Sequence, residues 1–214
     1  MNTAAILLAA GAASRWGGDE PKALLAWQGD RLIGHLARAA LAAGAGPVVR
    51  VLGARAELIQ ERAPAPPGVL DVFNADWSSG MGGSIACGLA AALEARPELA
   101  AVLILPCDQP LVTAAVLAEC LAAQGGRERA IVQCDYGGGS YGPPVVFGRG
   151  FFPELLALTG DEGGRAVVRR HPEALARVVF PGGKWDIDSP EDLTRFKSET
   201  NPITPARPCR LPCK

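Results

Sequence analysis

Residues 4–22 read AAILLAAGAASRWGGDEPK, and this stretch decides the fold. Ala5–Ala9 is a short, near-continuous apolar run, as expected of a strand whose sheet is covered by helices on both faces. It enters the small residues Ala10-Gly11-Ala12-Ala13-Ser14 directly, followed by Arg15, Trp16, Gly17-Gly18 and, after Glu20-Pro21, Lys22. In an open α/β sheet, ligands bind beyond the carboxyl ends of the strands. Small residues let backbone amides approach an anion, and Arg15 and Lys22 add fixed positive charge. The pattern therefore suggests a polyphosphate-binding turn. A Walker A loop does not fit, because Gly18 rather than a lysine follows Gly17; nor does the dinucleotide fingerprint, whose glycine spacing Gly11, Ala13 and Ser14 do not supply. On composition alone, a plain βα turn with two solvated cations explains the loop equally well.

Working outward, apolar runs suitable for strands recur at Val48–Leu52, Val69–Phe73, Ala101–Leu105, Ala130–Gln133, Pro144–Phe147 and Arg177–Phe180. Helical stretches lie between the early ones. Arg31–Ala43 carries Leu32, Leu36, Ala39 and Ala40 on one face and stops at Gly44; Gly83–Glu94 and Thr113–Ala123 are similar, with Thr113 as N-cap. Such alternation implies parallel pairing through right-handed crossovers. From about Cys134 the regularity breaks: Tyr136–Gly142 is glycine-rich, Pro143-Pro144 follows, and the elements shorten. The prediction is an α/β fold, a three-layer Rossmann-like sheet, mostly parallel, with a mixed-sheet extension. One domain spans residues 1–197, with a nucleotide-binding part to about 112 and an acceptor-binding part over 113–197. Residues 198–214 read as a disordered tail.

The bulk properties exclude several classes. With 49% apolar residues in 214, the chain can bury a sizeable core; a net charge of −1 without basic blocks argues against a nucleic-acid binder. The run Ala4–Ala10 is shorter than the roughly 20 residues a membrane span needs and lacks the basic start of a secretory signal, so a cytoplasmic protein is expected. The cysteines at 87, 107, 120, 134, 209 and 213 match no zinc spacing beyond a weak Cys209/Cys213 pair and read as reduced thiols.

Three further stretches carry chemistry. Asn74-Ala75-Asp76-Trp77-Ser78-Ser79-Gly80-Met81-Gly82-Gly83-Ser84 follows a strand and opens a helix, where small residues allow close approach of a base or phosphate; Ser84 in a capping role is the plainer reading. Leu105-Pro106-Cys107-Asp108-Gln109-Pro110 sets a carboxylate at the carboxyl end of the most apolar strand, where a hard oxygen ligand suits Mg²⁺. In Trp185-Asp186-Ile187-Asp188-Ser189-Pro190-Glu191-Asp192-Leu193, Ser189 caps a helix with Pro190 at its first position and acids in its first turn, leaving Asp188, and secondarily Asp186, for a metal. On an extended backbone these two aspartates would point the same way, about 7 Å apart.

These stretches together resemble the MobA-like nucleotidyltransferases, and most closely the molybdenum cofactor cytidylyltransferases. The resemblance rests on Leu7-Leu8-Ala9-Ala10-Gly11 with Ser14-Arg15, Gly17 and Pro21-Lys22, on Gly80-Met81-Gly82 with Ser84, on Pro106-Cys107-Asp108-Gln109-Pro110, and on Asp186-Ile187-Asp188 with Pro190-Glu191-Asp192-Leu193. It implies a nucleotide-diphospho-sugar transferase-like fold. It also implies a loop, Leu8, Ala9, Ala10, Gly11 and Ser14, that wraps the triphosphate, with Arg15 and Lys22 on phosphates; Arg15, Lys22 and Asp108 would be catalytic. Asn74, Gly80, Gly82 and Ser84 would line the base pocket. Asp108 and Asp188, with Asp186, would hold Mg²⁺ or Mn²⁺, and Gln109 leans toward the cytidylyl branch. Gly142 and Pro144, and Asp161 and Arg165 in Leu158–Arg165, resemble the family's acceptor-pocket segments. The implied substrates are CTP and a molybdopterin-type cofactor, with a molybdoenzyme or its insertion chaperone downstream and neither nucleic acid nor membrane as partner. Rival expectations are a relative using GTP on the same cofactor or CTP or UTP on a sugar or alcohol phosphate, a non-catalytic cofactor carrier, and a redox or metal protein built on the cysteines.

Overall fold

The computed structural model describes residues 2–12 and 20–200. Its elements in chain order are β1 (Thr3–Ala9), β2 (Ala26–Trp27), β3 (Asp30–Arg31), α1 (Leu32–Ala42), β4 (Val48–Leu52), α2 (Ala56–Arg62), β5 (Val69–Phe73), α3 (Met81–Ala95), β6 (Ala101–Pro106), α4 (Ala114–Gln124), β7 (Ile131–Gly137), β8 (Ser140–Gly148), α5 (Phe152–Leu156), α6 (Gly164–Arg170), β9 (Leu175–Val179) and α7 (Pro190–Thr200). Seven strands form one sheet in the order β5-β4-β1-β6-β8-β7-β9, and β2 and β3 make a small separate ribbon.

The pairing follows from the connections. β1, β4, β5 and β6 are joined through helices and pair in parallel. β7 and β8 are joined by Gly137-Gly138-Gly139, all at positive φ, and a turn that short can only return the chain antiparallel. β8 therefore enters antiparallel to β6, and β9 restores a parallel pairing against β7. The mostly parallel sheet with a mixed extension is as the sequence implies. The glycine-rich run from Tyr136 is the hairpin that makes the extension.

Two apolar layers sandwich the sheet. On one face Leu32, Leu36 and Ala40 of α1 and Leu117 and Leu121 of α4 pack with Leu7, Leu103 and Leu105. On the other, Ile85, Leu89 and Ala92 of α3 join Leu155, Val167, Ile6 and Ile104. Thr113 caps α4 as expected, its hydroxyl accepting from the Val116 amide. The apolar period left α2, α5 and α6 unpredicted, since each spans only five to seven residues.

β4 hides a charge. Arg50 is fully buried; its guanidinium donates to both carboxylate oxygens of Asp71 on the neighbouring strand, at 2.5 and 2.7 Å, and to the Ala63 carbonyl. Asp71 stands opposite Arg50 in the β4–β5 register. α7 runs to Thr200, so residues 198–200 continue a helix and correct the expected start of the tail; Cys209 and Cys213 lie outside the described residues. Cys87, Cys107, Cys120 and Cys134 are free thiols. Among the described residues no helix is long and apolar enough to cross a membrane.

Candidate active site

The carboxyl ends of β1 and β6 lie side by side in the sheet, and a cavity of about 460 Å³ opens above them. Its floor and walls come from Leu8–Ala12, Pro21-Lys22, Pro106–Asp108, the Trp77–Ser84 region, Asp161 and Asp188. Stretches far apart in the sequence thus meet where the strand order directs a ligand.

Lys22 sits at the centre. Its ammonium donates to Asp108 Oδ2 at 2.9 Å and to Asp188 Oδ1 at 2.8 Å. Burial alone lowers the pKa of this lysine, but the two carboxylates more than offset that and the net shift is upward, so it stays charged. The other oxygen of Asp108 is buried and has no hydrogen-bond partner among the described residues, a hard donor available to a cation. Asp108 and Asp188, 80 positions apart in the chain, converge on the Lys22 ammonium. The convergence is built by the backbone as well, since the Ile187 amide donates to the Asp108 carbonyl at 2.9 Å. Beyond it, Ser189 and Asp192 cap each other: Ser189 Oγ accepts from the Asp192 amide, and the Asp192 carboxylate accepts from the Ser189 amide and hydroxyl. That closed start of α7 fixes the residue just before it.

Asp186 departs from expectation. Asp186 and Asp188 find different partners, and only Asp188 reaches Lys22. Asp186 Oδ1 accepts instead from the Gln109 amide at 3.0 Å, and Asp186 does not line the cavity. Burial first, then the charge of Asp108, pushes its carboxyl up to about 6. Gln109 is likewise turned inward; it is 1% exposed and donates to Tyr136 Oη, the Gly183 carbonyl and Asp186. It therefore braces the site instead of touching a substrate. Gly142 is buried against the Tyr136 hydroxyl, and Pro144 is buried in β8; neither lines the cavity. Arg165 is exposed in the first turn of α6 and is not among the lining residues.

The nucleotide-side residues divide in the same way. Leu8, Ala9, Ala10, Gly11, Gly80 and Ser84 line the cavity. Asn74 does not; its side chain donates to Ser84 Oγ at 3.0 Å and holds that hydroxyl in place. Gly82 packs against the 159–162 loop, where a methyl group would lie 2.8 Å from the backbone of Thr159 and Glu162. Gly80 adopts φ +123°, and any side chain there would overlap the Gly160 carbonyl. The Gly-Met-Gly spacing is therefore needed to bring Asp161 to the cavity rim. Ser14, Arg15 and Gly17 lie outside the described residues. The sequence reading missed Trp77 and Met81, which give the cavity an apolar wall; a tryptophan among small loop residues was the available signal. Cys107 also lines it, but burial and then Asp108 push its thiol up to about 12, which leaves it a poor nucleophile.

Comparison with known proteins agrees with this fold. Residues 5–175 match the model of the MobA-like NTP transferase domain. The chain belongs to the MobA-like NTP transferase family. Within that frame, it is 36% identical over 198 residues to nicotine blue oxidoreductase of Paenarthrobacter nicotinovorans, covering 89% of this chain and 94% of that one. The structure of Rv0371c from Mycobacterium tuberculosis H37Rv superposes with a TM-score of 0.74 at 26% identity, covering 90% of this chain and 95% of the other; a second structure of Rv0371c is a complex with manganese. A nucleotidyl transferase from Methanothermobacter, at 23% identity and a TM-score of 0.78 over 94% and 99% of the two chains, shares the fold. The MobA-like chain thus has the nucleotide-diphospho-sugar transferase type of sheet, with its acidic pair and lysine at the ligand end.

Proposed function

We propose that this MobA-like transferase moves CMP from CTP to the terminal phosphate of a molybdopterin-type cofactor, releasing pyrophosphate and forming the cytosine dinucleotide. The observation that carries the reading is the Asp108–Lys22–Asp188 cluster at the carboxyl ends of the strands. Asp108, whose buried oxygen has no partner among the described residues, and Asp188 fit a divalent cation, Mg²⁺ or Mn²⁺, which takes one or two carboxylates plus phosphate oxygens. When bound, that ion supplies charge neutralisation for the phosphates.

The rest is positioning by the chain itself. An acceptor phosphate oxygen forms a bond to the α-phosphorus of CTP, and the bridging oxygen to the β-phosphorus departs with the electron pair as pyrophosphate. The nucleophile is already anionic, so no strong general base is required. Lys22 and Arg15 hold the triphosphate and balance the charge on the leaving pyrophosphate. The small residues Leu8–Gly11 admit phosphates close to the backbone, while Ser84, placed by Asn74, and Gly80 face the base. Asp161 faces the acceptor side. The choice of cytidine rests on the sequence resemblance around Gln109, whose side chain bonds inward. A molybdoenzyme or its insertion chaperone would take the product.

A second reading follows from the name of the 36% identical relative together with the apolar wall of Trp77 and Met81: an oxidoreductase that uses the same cavity for an aromatic substrate. One experiment separates them. The protein is incubated with each Mg-NTP and molybdenum cofactor, and products are identified by mass while pyrophosphate is measured. Dinucleotide product with pyrophosphate from CTP alone supports the proposal. GTP turnover, or turnover with a sugar or alcohol phosphate, would move it to a relative's substrates. No pyrophosphate with any NTP, together with redox turnover of nicotine blue, would replace it by the second reading; no turnover of either kind would leave a cofactor carrier.

A further inference from the structure

Tyr136 lies outside the cavity, yet it holds a residue that braces the site. Its hydroxyl donates to the Pro143 carbonyl and accepts from the Gln109 amide at 2.9 Å. Burial raises its pKa, so the phenol remains a donor. Its ring is held between two glycines: a methyl group at Gly142 would overlap the hydroxyl, and one at Gly183 would overlap the ring. Phe180 closes the ring edge-on at 6.3 Å between centroids. Gln109, held by Tyr136, donates to the Gly183 carbonyl at 3.1 Å and to Asp186 at 3.0 Å. These bonds fasten residues 183–186 to the end of β6, two residues before Asp188 and one after Asp108.

We infer that Tyr136 and Gln109 are positioning residues that set the separation of Asp108 and Asp188, and so the affinity of the acidic pair for its cation. The inference rests on the nucleotidyltransferase reading, in which that pair holds the metal. Asp188 is held by the Lys22 ammonium and, through its amide, by Asp192; two further connections tie its segment to that of Asp108. One is the Ile187-to-Asp108 backbone bond; the other is the Gln109–Asp186 bond, which Tyr136 orients. Without the phenol, Gln109 keeps its volume and its bonds to the Gly183 carbonyl and Asp186 but loses one of the three acceptors that fix its amide plane. The Gln109–Asp186 bond is then less firmly aimed, and the segment leading to Asp188 gains freedom. Partners that orient metal-binding side chains are typically worth 10- to 100-fold in metal affinity or activity. The same arrangement accounts for glycine at 142 and 183, where any side chain would displace the ring.

The test is Mn²⁺ binding to the purified full-length protein, followed by electron paramagnetic resonance, with thermal melting on the same samples. Tyr136→Phe should raise the Kd for Mn²⁺ about 10- to 100-fold. It should lower kcat by a similar factor and leave KM for CTP within about twofold. Gln109→Met, which keeps volume without donors, should act in the same direction and serves if Tyr136→Phe does not fold. A purely structural role would lower the melting temperature without changing the Kd of the folded fraction, so a Kd within twofold of wild type in both folded variants overturns the inference. Asp108→Asn tells that failure apart from failure of the underlying reading. If Asp108→Asn loses Mn²⁺ while the Tyr136 and Gln109 variants keep it, only the positioning role falls. If Asp108→Asn binds Mn²⁺ as wild type does, the acidic pair is not the metal site and both fall.

Discussion

Replacing Asp108 by Asn keeps the side chain's shape and removes its charge. Asp108 makes two contributions that Asn cannot copy: an ionic bond to Lys22 at 2.9 Å and a buried anionic oxygen with no partner among the described residues. Losing one preorganised electrostatic contact costs about 10²–10³ in kcat. At about 1.36 kcal/mol per tenfold, that is about 2.7–4 kcal/mol of transition-state stabilisation. The fold should tolerate the change, because Lys22 keeps Asp188 at 2.8 Å and both members of the lost pair are partly solvated. Such pairs are worth about 1 kcal/mol or less, and the melting temperature should fall by no more than about 4 °C. The assay is pyrophosphate release at saturating CTP and acceptor, with a melting curve on the same preparation. A correctly folded Asp108→Asn protein that retains more than a tenth of wild-type kcat would refute the assignment of Asp108 to the chemistry.

Three other outcomes are expected. Lys22→Ala should lower kcat, not only raise KM for the nucleotide, since its charge acts on the departing pyrophosphate; a change confined to KM would mean uniform ground-state binding. Gly80→Ala, at φ +123° and against the Gly160 carbonyl, should displace the loop bearing Asp161 and destabilise the protein by about 1–3 kcal/mol; denaturant melts unchanged within 0.5 kcal/mol would show that the loop yields freely. Asp71→Ala strands the buried Arg50 guanidinium and should cost about 3–5 kcal/mol, seen as a lower urea midpoint, while activity of the folded fraction stays near normal.

What could be read from the chain alone was whatever depended on local pattern. Val48–Leu52 and Val69–Phe73 are strands over the predicted residues, and the Thr113 and Ser189 caps fall where local hydrogen-bonding groups demanded them. The β1 turn, the aspartate after β6 and the aspartate before α7 were visible as stations because each sits at an element boundary marked by Gly or Pro. Their meeting was implied by resemblance, and the sheet order brings it about. The short helices escaped because two turns carry too few apolar positions to show a period.

The roles inside the site were decided by contacts between residues far apart in sequence. Nothing local to Gln109, Gly142 or Asp186 says whether each faces a substrate or a neighbour. The answer depends on Tyr136, 27 positions from Gln109, and on Gly183, 74 positions away. Arg50 shows the same division: its own strand reads as apolar, and its burial is tolerable only because the β4–β5 register sets Asp71 beside it. Hydrophobic period and capping act over a few residues and can be read in one dimension. Charge pairing, steric exclusion at a glycine and the aim of a buried amide depend on which strands become neighbours, and that is fixed only when the sheet closes.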